Sequence, residues 1–242
     1  MGQLLVSIPE NVRLMELTHG VADDFHNYAT GGQWTSVLTD SGTAAVGDAA
    51  GGVITLSPSD GTVADNDEAY VKTTNEIFKF ASGKPIQAEG LVQFTEAATN
   101  AANVIFGALD AIAANTLADN GAGPPSSYSG ACFFKVDGDT LWQCESSNGS
   151  TQKTTRLSSD ISLDGQDKTA GGSAYQKLRI DCIPTGDGLI DFQFYINDKL
   201  VAVHKQRSYS SATEMNFGFG VKNGTAAQQT LLVDRARCHQ VR

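Results

Sequence analysis

The chain has 242 residues, of which 40% are hydrophobic and 18% are charged, and its formal net charge is −10. A chain of this length can fold as one all-β domain around a single core. The acidic balance repels phosphate groups, so nucleic acid and anionic membranes are poor partners. We therefore expect one soluble domain that binds neither.

Apolar residues are frequent at the N-terminus, where turn-forming residues are scarce. We interpret residues 1–20 as an assembly arm, and an edge strand packed on the protein's own sheet is the alternative. The apolar run is too short for a signal peptide or a membrane-spanning helix, so we expect synthesis in the cytoplasm. The arm residues expected to contact a partner are Leu4, Leu5, Val6, Ile8, Val12, Leu14, Met15 and Leu17.

Residues 21–242 alternate short apolar runs with clusters of Gly, Asn, Asp and Ser, which is typical of antiparallel sheets. The alanine-rich stretch 95–119 has helical propensity. We nevertheless predict two strands joined by a bend over 97–102, with a short helix over 111–117 as the alternative. Candidate strands in this half are 53–57, 69–72, 86–95, 103–109, 131–136 and 140–145.

The alternation is clearest in the second half, over 175–204, where two strands, a hairpin and a returning third strand are predicted. Alternate residues of a half-buried strand share one face. The side chains expected to face inward are Leu178, Ile180, Phe192, Phe194, Ile196, Phe217, Phe219 and Val233.

The four cysteines, Cys132, Cys144, Cys182 and Cys238, lack the C-x-x-C spacing of zinc or redox sites. We expect buried free thiols rather than disulfides, because free cysteine often behaves as a small core hydrophobe.

Acidic residues are densest at Asp60, Asp65, Asn66, Asp67 and Glu68. Oxygen ligands on a loop suit Ca²⁺, but the spacing fits no EF-hand, so we interpret this cluster as a solvated loop. We predict no metal and no cofactor.

The histidines give no indication of a catalytic triad. His19, His26, His204 and His239 are far apart in the sequence, and no Ser or Cys stands in a G-x-S-x-G elbow. We predict no catalytic residue.

Two further groups are candidates for binding. Trp34, Trp142, Tyr128 and Tyr209 could stack on sugars if exposed, although aromatic residues of a sandwich more often lie in the core. Arg235, Arg237 and Arg242 make the C-terminal strand basic. They could dock on an acidic partner or protect an edge strand.

Three patterns follow one another along the chain: Tyr-x-x-Leu-Arg-Ile and then Gly-x-Ile-x-Phe-x-Phe-Tyr-Ile-Asn-Asp-Lys-Leu-Val over 175–201, and Asn-Phe-Gly-Phe over 216–219. This order resembles the concanavalin A-like lectin/glucanase superfamily. The resemblance spans residues 22–240 and implies a two-sheet antiparallel jelly-roll sandwich. Its β-glucan-cleaving members carry an E-x-D-x-E motif, which this sequence lacks. The acidic groups that come nearest to this motif, at 137–139 and 187–188, are predicted to lie in turns.

The low charge, the Ala/Gly/Thr-rich loops and the N-terminal arm resemble tailed-phage proteins that use this sandwich to decorate capsids. That resemblance implies a non-enzymatic cement protein on the capsid exterior. Its partners would be the major capsid protein and itself, as a homotrimer. The alternative is a carbohydrate-binding module of a phage tail or surface protein, with polysaccharide as the partner.

Overall fold

The structure is a computed structural model that describes residues 18–47, 49–59, 61–160, 168–171 and 174–242. These residues form sixteen β-strands and no α-helix. The strands are β1 (Thr18–Asp23), β2 (Trp34–Leu38), β3 (Thr43–Val46), β4 (Ile54–Ser57), β5 (Glu68–Thr73), β6 (Phe78–Lys79), β7 (Ile86–Glu96), β8 (Ala102–Leu109), β9 (Ser129–Lys135), β10 (Gln143–Asn148), β11 (Gln152–Arg156), β12 (Gln176–Gly186), β13 (Leu189–Ile196), β14 (Lys199–Ser208), β15 (Glu214–Asn223) and β16 (Gln229–Val241).

The strands build two eight-stranded antiparallel sheets. Sheet A has the order β14-β13-β12-β7-β16-β4-β3, with β1 also paired to β16. Sheet B has the order β11-β10-β9-β8-β15-β5-β2, with β6 also paired to β15. Consecutive strands such as β7 and β8 lie in different sheets. The prediction of an all-β, two-sheet sandwich is confirmed.

One continuous hydrophobic core lies between the sheets. Strand β13 shows how the sequence builds this core, because its buried and partly exposed residues alternate strictly along its length. Aromatic rings meet edge to face across the core: Phe133 and Phe194 have centroids 5.4 Å apart, and Phe94 and Trp142 5.8 Å apart. All eight side chains predicted to face inward are at most 2% exposed, and all four cysteines are buried and free, as predicted.

The alanine-rich stretch forms two strands and a bend, as predicted, because β7 ends at Glu96 and β8 begins at Ala102. The alternative of a helix over 111–117 is wrong: these residues form turns and irregular backbone. Ile112 and Leu117 are five positions apart, so a helix would point them in different directions. Asn115 also has a φ of 61°, which an α-helix does not allow.

The predicted arm boundary at residue 20 falls inside a strand. β1 pairs with β16 from Thr18 opposite Val241 to Asp23 opposite Ala236. The sandwich therefore includes residues 18–20, which agrees with the alternative reading for that part of the arm. The predicted partner-binding residues from Leu4 to Leu17 lie outside the described residues.

The C-terminal strand β16 is not an edge strand, so that reading of its arginines is wrong. β16 pairs with β7 along one side and with β4 and then β1 along the other. Within the part of the chain that the structure describes, no helix has the length and apolar character needed to cross a bilayer.

Candidate functional site

The outer face of sheet B is covered by the segment 110–128, here called the covering segment. β8 and β9 are buried along their entire length, which requires cover on both faces. β13 of sheet A, in contrast, is buried on one face only. Side chains of the covering segment and of the outer face of sheet B together form a second hydrophobic cluster. Its members are Tyr70, Ile105, Leu109, Ile112, Leu117, Tyr128, Cys132 and Phe134.

Glycines on the outer face make room for this cover. A Cβ at Gly218 would lie 2.8 Å from Cδ1 of Ile112, so the absence of a side chain lets Ile112 descend onto the sheet. A Cβ at Gly220 would meet the ring of Tyr70 at 1.9 Å. The Tyr70 hydroxyl in turn accepts a hydrogen bond from Leu117 N at 3.2 Å. The sheet and the covering segment are thus shaped for each other.

Lys222 ties the covering segment to sheet B. Its fully buried ammonium donates to Asn115 Oδ1 at 2.8 Å and to the Leu117 carbonyl at 3.0 Å. It also pairs with Asp119 at 2.5 Å and with the buried Glu68 at 3.3 Å. A buried ammonium requires such partners, because desolvation without them is costly. These contacts hold the middle of the covering segment in place.

An open pocket of about 180 Å³ lies where the two ends of the covering segment meet. One wall consists of Asp110, Ala111 and residues 113–116, and the other consists of Pro125, Ser127 and Tyr128. The backbone joins the walls at the sheet, because Asp110 N donates to Ser129 O at 2.9 Å. The lining combines a carboxyl group, a carboxamide, hydroxyls and small apolar side chains.

Asp110 carries the charge of this pocket. Burial raises the pKa of its carboxyl group, and backbone hydrogen bonds from Ser129 and Ala111 partly oppose that effect. Its Oδ1 is buried and has no hydrogen-bond partner among the described residues. A carboxylate oxygen without water or a donor is costly. Asp110 as a whole is nevertheless partly exposed and lines the pocket.

The neighbouring polar groups have defined orientations. Lys222 binds the Oδ1 side of the Asn115 carboxamide, so its Nδ2 side is the one that can donate to a ligand. The Tyr128 hydroxyl lies 3.5 Å from Cys132 Sγ. Burial raises the pKa of Tyr128, and the nearby Cys132 and Glu145 raise it further, so the phenol stays neutral.

The acidic cluster near residue 65 is only partly the solvated loop that we predicted: Asp65 is exposed, Asp67 and Glu68 are buried, and Asp60 lies outside the described residues. Asp67 is buried and accepts hydrogen bonds from Ser59 Oγ and from Ala64 N. Glu68 is buried and accepts from Tyr70 and Asn115 N. These carboxylates replace solvent with internal donors. The described residues contain no group of three or more His, Cys, Asp or Glu that could hold a metal ion.

The candidate aromatic residues do not form an exposed platform. Trp34 and Trp142 lie in the main core, where their indole N–H groups donate to Asp23 and Gln176 at 2.8 Å. Tyr209 packs partly buried against the same core. Of the four, Tyr128 is the one that lines the pocket.

Arg235 and Arg237 bind an acidic group of their own sheet. Their guanidinium groups lie 3.4 Å and 3.0 Å from Oε1 of Glu89, which is only 3% exposed. Arg237 stands directly opposite Glu89 across the β16–β7 pair. The arginines therefore cover a buried carboxylate, and they lie on the outer face of sheet A, away from the pocket.

The remaining acidic and imidazole candidates also lie apart from the pocket lining. The residues 137–138 and 187–188 form turns, as predicted. Asp139 forms a bidentate pair with Arg156 at 2.7 and 2.6 Å, and this contact lowers the pKa of Asp139. His204 is buried between the sheets, and His19 Nε2 contacts the Ile77 carbonyl at 2.8 Å.

The sequence reasoning did not identify the pocket residues Asp110, Asn115 and Ser127. One signal was present in β15, where Gly218, Gly220 and Lys222 occupy the face opposite the inward phenylalanines. Two glycines and a lysine at alternate positions indicate either a bare face or one closely covered by another segment. The covering segment itself has no periodicity that would reveal its placement.

No known protein-family profile matches the chain, and no curated protein is similar to it in sequence. Several solved structures share its fold. Peanut lectin with a 9-residue peptide has a TM-score of 0.59 and 12% identity, over 93% of this chain and 97% of the lectin. The carbohydrate recognition domain of Emp47p has a TM-score of 0.58 and 11% identity, over 92% and 96%.

An endo-1,3-β-glucanase from Streptomyces sioyaensis has a TM-score of 0.52 and 13% identity, over 93% of this chain and 96% of the enzyme. Identities this low show likeness of fold alone. The fold is the concanavalin A-like lectin/glucanase jelly-roll sandwich, as the sequence resemblance implied.

Proposed function

We propose that the chain binds carbohydrate in the pocket beside the covering segment. The observation that carries this proposal is a pocket that presents the partly exposed Asp110 together with Asn115, Ser127 and Tyr128. A sugar offers hydroxyl donors for the carboxylate and apolar C–H faces for the ring and the alanines. Small-molecule sites have this composition, with mostly apolar walls and a few convergent polar groups.

Two further observations support the proposal. Peanut lectin and the Emp47p domain, named as a lectin and a carbohydrate recognition domain, share this fold. In addition, the pocket presents a carboxyl group in a chain with a net charge of −10, which disfavours anionic ligands. The function that fits best is therefore non-catalytic recognition of a sugar, the alternative raised by the sequence.

The test is binding of the intact chain to an array of immobilised mono-, oligo- and polysaccharides, followed by calorimetry on those retained. Asp110→Asn keeps the shape of the side chain and removes its charge. We expect this change to weaken binding by about tenfold or more, since hydrogen bonds to charged groups contribute about 1.5 to 3 kcal/mol. Asp187→Asn, in an exposed turn outside the pocket, is the matched control. Equal binding by both variants would contradict the proposal.

Capsid decoration is the competing proposal, with the major capsid protein and a homotrimer as its partners. It depends on contacts from the segment Leu4 to Leu17. Because β1 begins at Thr18, deleting residues 2–17 leaves every described strand intact. If decoration is the function, the truncated protein should remain folded and lose its ability to co-sediment with capsids. Unchanged co-sedimentation, or none by the full chain, would contradict it.

A further inference from the structure

We infer that the pocket accepts the terminal, uncharged sugar of a glycan and excludes internal stretches of a polysaccharide chain. This inference rests on the proposed carbohydrate-binding function and specifies its ligand. It follows from three features: the covered face of sheet B, the position and size of the pocket, and the charge of its lining.

The first feature is that, among the described residues, the outer face of the central strands of sheet B is covered. The covering segment occupies its outer face, with Ile112 seated above Gly218 and Leu117 fully buried. The contacts of Lys222 fix the segment at its centre. A polysaccharide crossing this face would have to displace a hydrophobic cluster and a buried ion pair. The cover therefore excludes a polymer from lying across the central strands of sheet B.

The second feature is that the pocket is small and closed toward the sheet. Its two walls are the two ends of the covering segment, and the backbone bond from Asp110 to Ser129 joins them. Its volume of about 180 Å³ is below the roughly 300 to 1,000 Å³ of sites for drug-sized ligands. That space suits a single sugar ring that enters from solvent. The rest of the glycan must extend outward.

The third feature is the charge of the lining. Asp110 is the charged side chain among the lining residues. The nearby ammonium of Lys222 is buried and already bound to Asp119 and Glu68. A terminal sialic or uronic acid would meet a carboxylate without a compensating cation. The lining therefore favours neutral sugars.

The experiment is a chain-length series measured by calorimetry on the intact protein. The probes are methyl glycosides of glucose, galactose, mannose and N-acetylglucosamine, their homo-oligomers of increasing length, and sialic-acid-capped galactosides. We expect the monosaccharide that binds to match its longest oligomer within about threefold, and the sialylated probe to show no measurable binding. Affinity that rises about tenfold or more with length would overturn this inference and leave the proposed function standing. Absence of binding to every probe would overturn the proposed function together with it.

A second measurement uses blocking variants. Ala114 is exposed and lines the pocket, whereas Ala122 is exposed in the same segment and does not. Ala114→Trp should abolish binding of every probe length, and Ala122→Trp should leave binding unchanged. Retained binding of a long oligomer by the Ala114→Trp protein would mean that the chain binds elsewhere, which would overturn end-on recognition.

Discussion

Ser146 Oγ and His204 Nδ1 are 2.8 Å apart, and this contact joins β10 of sheet B to β14, an edge strand of sheet A. The other ring nitrogen lies 3.0 Å from Thr155 Oγ1 on β11. The imidazole therefore connects the two sheets at one side of the sandwich. Burial, with smaller contributions from the positive charges of Lys153 and Arg207, lowers the pKa of His204 to about 4.

Mild acid should destabilise the fold through His204. In the unfolded chain the imidazole pKa is about 6.5, so between that pH and about pH 4 the unfolded state binds the proton more readily. The stability contributed by the neutral ring is fully present above about pH 6.5 and is lost as the pH falls from there to about 4. We expect His204 to account for a loss of about 3 kcal/mol in the free energy of unfolding. Urea unfolding across the window measures it.

The control for this prediction is the same substitution at an exposed imidazole. His204→Gln should flatten the pH dependence, while His26→Gln, at an exposed position, should keep the wild-type slope. A His204→Gln protein with the full wild-type slope would show that other groups cause the acid sensitivity.

Removing the ammonium of Lys222 should destabilise the protein and loosen the covering segment. Lys222→Met leaves Glu68 buried without its cation. Breaking a buried pair in this way costs about 3 to 5 kcal/mol. Urea unfolding gives the stability, and hydrogen exchange should show lost protection over 110–128.

Two comparisons check the cause of that loss. The double variant Lys222→Met with Glu68→Gln should recover part of the stability, because no buried charge is left alone. Lys199→Met, at an exposed position, should be close to neutral. No recovery in the double variant would mean that packing, rather than charge, dominates at Lys222.

The main core was predictable because its signal is local. In β13 every second residue is apolar, and one alternating strand is enough to assign its buried face. The covering segment was not predictable for the opposite reason. Ile112, Leu117 and Tyr128 are irregularly spaced on turns, and the glycine that receives Ile112 lies about a hundred positions away in sequence. Proximity of that kind is set by the tertiary fold.

The contact between the C-terminal arginines and Glu89 was not predictable either, because these residues are far apart in the sequence. Arg235 and Glu89 are separated by 146 positions, so the local basic character of β16 suggested an external acidic partner. The strand order places β7 beside β16 and supplies the carboxylate internally. A local excess of one charge thus indicates where a partner is needed, and the topology determines which group provides it.

We expect Arg235 and Arg237 to stabilise the fold, because both pair with the buried carboxylate of Glu89. Replacing both arginines by Ala leaves a carboxylate that is 3% exposed without a cation. A buried charged group left unsatisfied costs about 1 to 3 kcal/mol or more, so we expect a loss of that order in urea unfolding. Adding Glu89→Gln should restore part of it. Unchanged stability in the double alanine variant would return these arginines to the role of external contacts.

Sugar binding should weaken in acid at a higher pH than an ordinary aspartate would give. Burial raises the pKa of Asp110, so its carboxylate, the acceptor for a ligand hydroxyl, takes up a proton in milder acid. The adjacent Tyr128 stays neutral because its own pKa is raised, so Asp110 is the pocket-lining group that titrates here. Calorimetric titration with the bound methyl glycoside, from neutral pH downward, should show a decreasing affinity while circular dichroism confirms that the fold is intact. Asp110→Asn should bind weakly and without this pH dependence, whereas Asp187→Asn should follow the wild type. A pH profile that survives in the Asp110→Asn protein would place the titrating group outside the pocket.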